Sequence, residues 1–213
     1  MSRGGLEAGW VAPDVAAELP GLALRYAVVD RGSGRSSRAL RQRLRELSDR
    51  FSGAQAINLR HQDIPHAYRV LYRHIGLDPD EQPTPVEAAV LERLEHGGFR
   101  SRSVLDDALT IATVETGVAI RAFDADRVAG APGIRASAPG EALAGRPGEL
   151  PAGTLVIADD AGPVALLFGA VAAGRDVDRA TSRTLLCAVR PRTVPELAVA
   201  EAIWLAREAL EAG

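Results

Sequence analysis

A change of hydrophobic period at Gly117 constrains this chain more than any other feature. Before it, apolar residues recur at helical spacing. Leu40, Leu44, Leu47 and Phe51 mark a helix over 38–51, and Tyr68, Leu71, Tyr72 and Ile75 mark a second over 65–75. Thr84-Pro85-Val86-Glu87 is a capping box with proline at the first helical position, followed by Val86, Val90 and Leu94 on one side. A fourth helix starts near Ser103, buries Leu105, Leu109, Ile111 and Ala112, and stops at Gly117. Beyond that glycine the pattern becomes short apolar runs over 118–123, 134–138, 154–158, 164–168 and 184–189, separated by turn signals such as Asp159-Asp160-Ala161-Gly162. A helix over 194–211 closes the chain. Ahead of all these lie a short helix over 13–18 and a strand over 22–29, where Leu22, Leu24, Tyr26 and Val28 alternate with their neighbours. Helices and strands are segregated, so the expected class is α+β, with residues 13–213 as one domain and residues 1–12 as a loose leader.

Charge and composition exclude several functions. The net charge is −3, so no global basic field draws the chain to nucleic acid, and DNA is not an expected partner. All 25 basic residues are arginine. Without lysine there is no Schiff base, no pyridoxal phosphate linkage and no P-loop lysine. A single cysteine, Cys187, cannot close an internal disulfide, which suits a reducing cytoplasm. The longest mainly apolar run, 163–173, is far short of the roughly 20 residues of a membrane span. Residues 1–9 lack the pattern of a signal peptide. The expectation is a cytoplasmic protein with no membrane partner.

The residues suited to chemistry are sparse. His61, His66, His74 and His96 include no i,i+4 pair and no HExxH, so neither a metal nor another cofactor is expected. Asp124/Asp126, Asp159/Asp160 and Asp176/Asp178 read as turn chemistry rather than magnesium ligands. No GxSxG elbow is present, and Cys187 lies inside the apolar run 185–189, where a cysteine behaves as a small hydrophobe. Gly32-Ser33-Gly34 joins a strand to a helix as a dinucleotide fingerprint does. Ser37 stands where that motif wants Gly or Ala, and the acid expected about 20 residues on is missing. Arginines supply the other candidates. Arg69 and Arg73 lie four apart on one helix and are expected to share a face. Arg41 and Arg45 sit on the outer side of 38–51, and the four are candidate phosphate contacts for RNA.

The ordered set of motifs from Tyr68 onward resembles the B3/B4 domain of the phenylalanyl-tRNA synthetase β subunit, in its freestanding form. The matching pieces are the YRxxYRxxGxDP-like run from Tyr68 to Pro79 and the proline-led helix with Pro85-Val86-Glu87-Ala88. They continue with Glu115 to Asp126, Gly140-Glu141, Leu155 to Asp159, and Gly174 to Ala188, which carries Thr181, Leu185 and Leu186. The resemblance implies a β-sandwich flanked by helices. It also implies a site for an amino acid ester at an RNA 3′ end, attacked by a positioned water, with tRNA or aminoacyl-tRNA as partner. Hydrolysis of wrongly charged tRNA in trans is the implied activity. A non-catalytic module for RNA or a small ligand is the alternative.

Two departures bear on the implied site. Arg121 stands where the bacterial synthetase pattern has His before AFD, and Cys187 where it has Glu after the LL pair. In the family those two groups read the tyrosine hydroxyl, so tyrosine is not expected to be selected in the same way here. The family's GGxxGG appears as Gly169 to Gly174 with alanines and valine between. The resemblance places the ligand pocket among 118–123, 164–168 and 185–189. Arg121 is its expected anchor, and Asp124, Thr181 and Cys187 its expected wall.

Overall fold

A computed structural model describes residues 5–51 and 58–213. The chain runs β1 (Glu7–Ala8), β2 (Trp10–Val11), α1 (Pro13–Glu18), β3 (Ala23–Val29) and α2 (Arg38–Arg50). Helices α3 (Asp63–His74), α4 (Pro85–His96) and α5 (Val104–Thr116) follow. Then come β4 (Ile120–Asp124), β5 (Gly133–Ala136), β6 (Leu155–Asp159), β7 (Gly162–Leu166), β8 (Thr184–Arg190) and α6 (Glu196–Glu211). The class is α+β, as the change of period at Gly117 implies. No helix among the described residues is long and apolar enough to cross a membrane.

Local chemistry explains the helix ends. Glu87 Oε2 accepts from the Thr84 backbone N at 3.1 Å, which closes the capping box of α4. Ser103 caps α5 by accepting from the Asp106 N–H at 3.1 Å. Gly117 ends α5 in the left-handed conformation, at φ 74°, which a side chain would strain. Leu94, expected on the buried side of α4, is exposed together with Leu91.

The strands form two four-stranded sheets, ordered β1-β3-β8-β4 and β2-β5-β6-β7. All pairings are antiparallel except β2 with β5. Strand β8 is central in the first sheet and buried on both faces. Leu186 and Ala188 join a core with Ile111, Ala112, Val199 and Ile203 of the helices. Leu185, Cys187 and Val189 join a second core with Ile134, Ile157 and Val164 of the other sheet. The molecule is therefore layered as helices, sheet, sheet. Tyr68 of α3 is buried and donates its hydroxyl to the Val189 carbonyl at 2.6 Å, tying a helix to the central strand.

The loose leader expected over residues 1–12 is corrected for residues 7–11, and residues 1–4 lie outside the described residues. Glu7 and Ala8 pair with Tyr26 and Arg25 of β3, while Trp10 and Val11 pair with Gly133 and Ile134 of β5. Two-residue strands carry no readable period, so only tertiary pairing reveals them. The crossing between sheets needs close approach. A Cβ on Gly9 would lie 2.5 Å from the Pro132 carbonyl oxygen, and one on Gly133 would lie 2.0 Å from the Trp10 indole. That indole donates to the Ala131 carbonyl at 2.9 Å. Gly133→Ala is expected to push the ring off its seat and lower stability by about 1–3 kcal/mol in urea titrations. Gly5→Ala, whose Cβ meets nothing within 4 Å, should stay within about 0.5 kcal/mol of the parent.

Candidate functional site

Alternation along β4 turns Ile120 and Ala122 toward the helices and Arg121 and Phe123 toward the space between the sheets. Arg121 lies directly opposite Cys187 of β8 in the antiparallel register. Its guanidinium reaches across to the turn after β7. It donates to the carbonyls of Leu166 at 2.7 Å and Gly169 at 2.6 Å, with a weaker contact to Leu167 at 3.4 Å, and lies 5.9 Å over the Phe123 ring. The same turn is held from the helical side. The Phe168 ring packs on Tyr72 at 4.6 Å between centroids and edge-on to Tyr68 at 6.1 Å. Gln82 donates to the Phe168 carbonyl at 3.1 Å. Arg121 is thus not the surface ion-pair partner of Asp124 or Asp126 that a plain charge reading would suggest. It is an internal donor that fixes the start of the 169–174 stretch.

Asp124 and Thr181 form a separate pair. Thr181 Oγ1 donates to Asp124 Oδ2 at 2.7 Å, both residues are buried, and Arg127 Nε lies 3.2 Å from the same carboxylate oxygen. Asp124 is opposite Thr184, three residues from the Arg121–Cys187 pair, which is about 10 Å along the strand. The four expected pocket residues therefore meet as two pairs at opposite ends of β4. The structure adds Tyr72, Phe168 and Gln82 to the Arg121 end. Tyr72 had a signal in the paired YR spacing of α3. Phe168 closes the 164–168 run expected to border the pocket but is not singled out within it, and Gln82 had no signal, because it shares no local pattern with β4.

The electrostatics follow from burial. Burial pushes the Cys187 thiol up to about 12, and Arg121 beside it offsets only part of that. Burial likewise raises the Tyr68 and Tyr72 hydroxyls. Burial also pulls the Arg121 guanidinium below its ordinary value, with Cys187 and Tyr72 acting the other way. Arginine in proteins keeps its charge at pH 7. The chemistry available here at neutral pH is hydrogen-bond donation from a fixed cation beside a neutral thiol, with no thiolate nucleophile.

The candidate phosphate contacts diverge. Arg69 is buried, with its guanidinium on Glu87 at 2.7 Å and on Asp80. It does not share an open face with Arg73, because those carboxylates draw it inward. Arg73 is exposed, 3.6 Å from Asp80. Arg41 donates to the Ser36 carbonyl at 2.7 Å, and Arg45 to Gln42 Oε1 at 2.7 Å. The acidic pairs act as turn formers. Asp159 Oδ1 accepts from the Ala161 and Gly162 N–H groups, and Asp178 Oδ1 from Ala180. Among the described residues no three His, Cys, Asp or Glu side chains converge as a metal site.

Comparison with known proteins bears on the same region. The sequence pattern of the B3/4 domain matches residues 67–193, more than half of the chain. A phenylalanine–tRNA ligase beta subunit of Streptomyces avermitilis is 37% identical over 94 residues, covering 43% of this chain and 11% of that protein. The same subunit of Xanthomonas oryzae is 43% identical over 94 residues, covering 43% of this chain and 12% of its own length. That of Xylella fastidiosa is 40% identical over a stretch of the same length, with the same coverage. The match thus spans only about an eighth of each relative.

Two outcomes are expected. Arg121→Ala leaves the Leu166 and Gly169 carbonyls without their charged donor and should lower stability by about 2–4 kcal/mol in denaturant titrations. In the second, the folded state keeps protons on Cys187, Tyr68 and Tyr72 at a pH where the unfolded chain has lost them. Stability from these groups is complete below their unfolded values, near 9 for the thiol, and falls as pH rises through about 12. Urea midpoints from pH 8 to 11 should decline, and a thiol reagent at pH 8 should label Cys187 only after unfolding.

Proposed function

The chain belongs to the B3/4 domain family, and on that premise we propose that it binds the aminoacylated 3′ end of tRNA and releases wrongly joined amino acids in trans. The observation that carries this reading is the extent of the match. Residues 67–193 contain β4, the turn at 166–169, the 169–174 stretch and β8. In this reading the ester lies against the face of β4 and β8 that carries Arg121 and Cys187, while Asp124, of the opposite parity, holds Thr181 at the end of the strand. Attack is by water, because the Cys187 thiol is neutral and buried and no activated nucleophile stands beside it among the described residues. Among the described residues Arg121 has no carboxylate partner and is turned onto backbone carbonyls, so it shapes the site by setting the 166–169 turn. A hydroxyl on the amino acid is not read as in the tyrosine-editing pattern, and discrimination rests on the shape that turn imposes.

That same commitment of Arg121 favours a second reading, in which the module binds the charged end and does not turn it over. A panel of aminoacyl-tRNAs, correctly and wrongly charged, separates the two. The first reading expects deacylation well above the spontaneous rate for one class of misacylated tRNA, with binding that weakens linearly on a log–log plot against salt. Binding without acceleration selects the second reading. No binding at low salt overturns both.

A further inference from the structure

The Gly32-Ser33-Gly34 loop, which mimics part of a nucleotide motif, is shaped by packing. A Cβ on Gly32 would lie 1.8 Å from the Thr181 carbonyl oxygen, so glycine there permits two loops to touch. The loop also forms one wall of an open cavity of about 690 Å³, lined among others by Ser33, Arg35, Arg102, Val177, Asp178 and Arg179. The three arginines come from three different loops. Arg35 and Arg179 are exposed, and neither has a carboxylate or carbonyl partner among the described residues. Arg102 is exposed and paired only with Glu92. Among the described residues Asp178 is the lining's one carboxylate. Its Oδ2 is held by Arg127 at 2.8 Å, and its Oδ1 accepts from the Ala180 and Thr181 N–H groups. Its charge is answered from outside the cavity, and the arginines inside are left in excess.

The walls are fixed before any ligand arrives. Asp107 is buried and accepts from Ser36 Oγ at 2.6 Å, Ser101 Oγ at 2.6 Å and the Arg102 N–H at 3.1 Å. The Val104 N–H donates to the Gly34 carbonyl at 2.9 Å. One buried carboxylate thus joins the loops that carry Arg35 and Arg102, and the Gly32–Thr181 contact joins them to the loop of Arg179. Preorganised walls reduce the ordering cost of binding. Planar guanidinium groups match phosphate oxygens by paired hydrogen bonds. Among the described residues the lining holds no aromatic ring on which a base could stack, and Val177 is its apolar side chain. Such a surface reads phosphates and leaves bases unread.

We propose that this cavity is a phosphate-binding site, in which Arg35, Arg102 and Arg179 hold phosphate groups presented in series, as in a polyphosphate chain or an RNA backbone. The three arginines lie outside the β4–β8 region, although the loop of Asp178 also carries Thr181, and the proposal does not depend on the ester reading.

The test uses the whole chain, calorimetry at low and at 200 mM salt, and two probes: inorganic tripolyphosphate and a short oligouridylate. Wild type should bind, and Arg35→Gln with Arg179→Gln together should bind about tenfold more weakly or worse, as loss of charge-assisted contacts implies. For the oligonucleotide, the log–log salt slope should shrink by about 1.4 for two lost contacts on a single strand. Arg146→Gln, on an exposed residue elsewhere, should match wild type. A loss confined to tripolyphosphate assigns the site to small polyphosphates, and a loss that includes RNA assigns it to a backbone. Binding of neither probe by wild type, or equal affinity in the double variant, overturns the proposal. Both replaced arginines are exposed, and a melting curve confirms that the variant is folded. An aminoacyl ester without phosphate probes the other region, so the two readings fail separately.

Discussion

Everything in this fold is arranged around a strand that has no solvent face. Strand β8 is hydrogen-bonded on one side to β3 and on the other to β4, and its side chains alternate between two cores. A strand in that position must be apolar across its buried middle, and Leu185 to Val189 satisfies this with a cysteine as its central residue. The cysteine follows from the position. With Leu185 and Val189 it faces the second sheet, it lies opposite an arginine, and burial keeps it protonated.

The arginine opposite it illustrates how a site residue can be absorbed by the scaffold. A cation in a low-dielectric space must be answered, and carboxylates are not what answers Arg121. Three carbonyls at the end of a hairpin do so. The exchange is mutual, since a tight turn leaves carbonyls that the ladder cannot use. Tyr68, Tyr72 and Gln82 then hold the outer side of the same turn. The shape of the 166–174 region therefore depends on residues from β4, α3 and the segment before α4 at once.

Arginine in this lysine-free chain serves as a strut more often than as a free charge. Arg69 joins α3 to the capping box of α4 through Glu87, and Arg175 lies 2.8 Å from the buried Asp159. Arg135 and Glu141 pair across the loop that follows β5. In each case the carboxylate comes from a different segment and the guanidinium satisfies two or more acceptors, a geometry that lysine cannot reproduce. Arg35 and Arg179 at one cavity, without a carboxylate or carbonyl partner among the described residues, stand apart from this pattern.

What the sequence determined by itself is what short-range chemistry controls. The capping box at Thr84 and Glu87, the serine cap at Ser103, the left-handed stop at Gly117 and the buried run at 185–189 are each settled within a few residues, and they set the α+β class. The ordered motifs from Tyr68 onward carried the family in the same way. Tertiary structure decided whatever needs partners distant in sequence. Two-residue strands at Glu7–Ala8 and Trp10–Val11 exist only because β3 and β5 are there to pair with them. Arg69 and Arg73 look alike at helical spacing, yet Asp80 and Glu87 bury one and leave the other in solvent. Gly32 looks like part of a nucleotide loop until Thr181 arrives against it. Backbone propensity and capping act over one turn, whereas burial of a charge or a close approach of two loops is defined only once the chain has closed on itself.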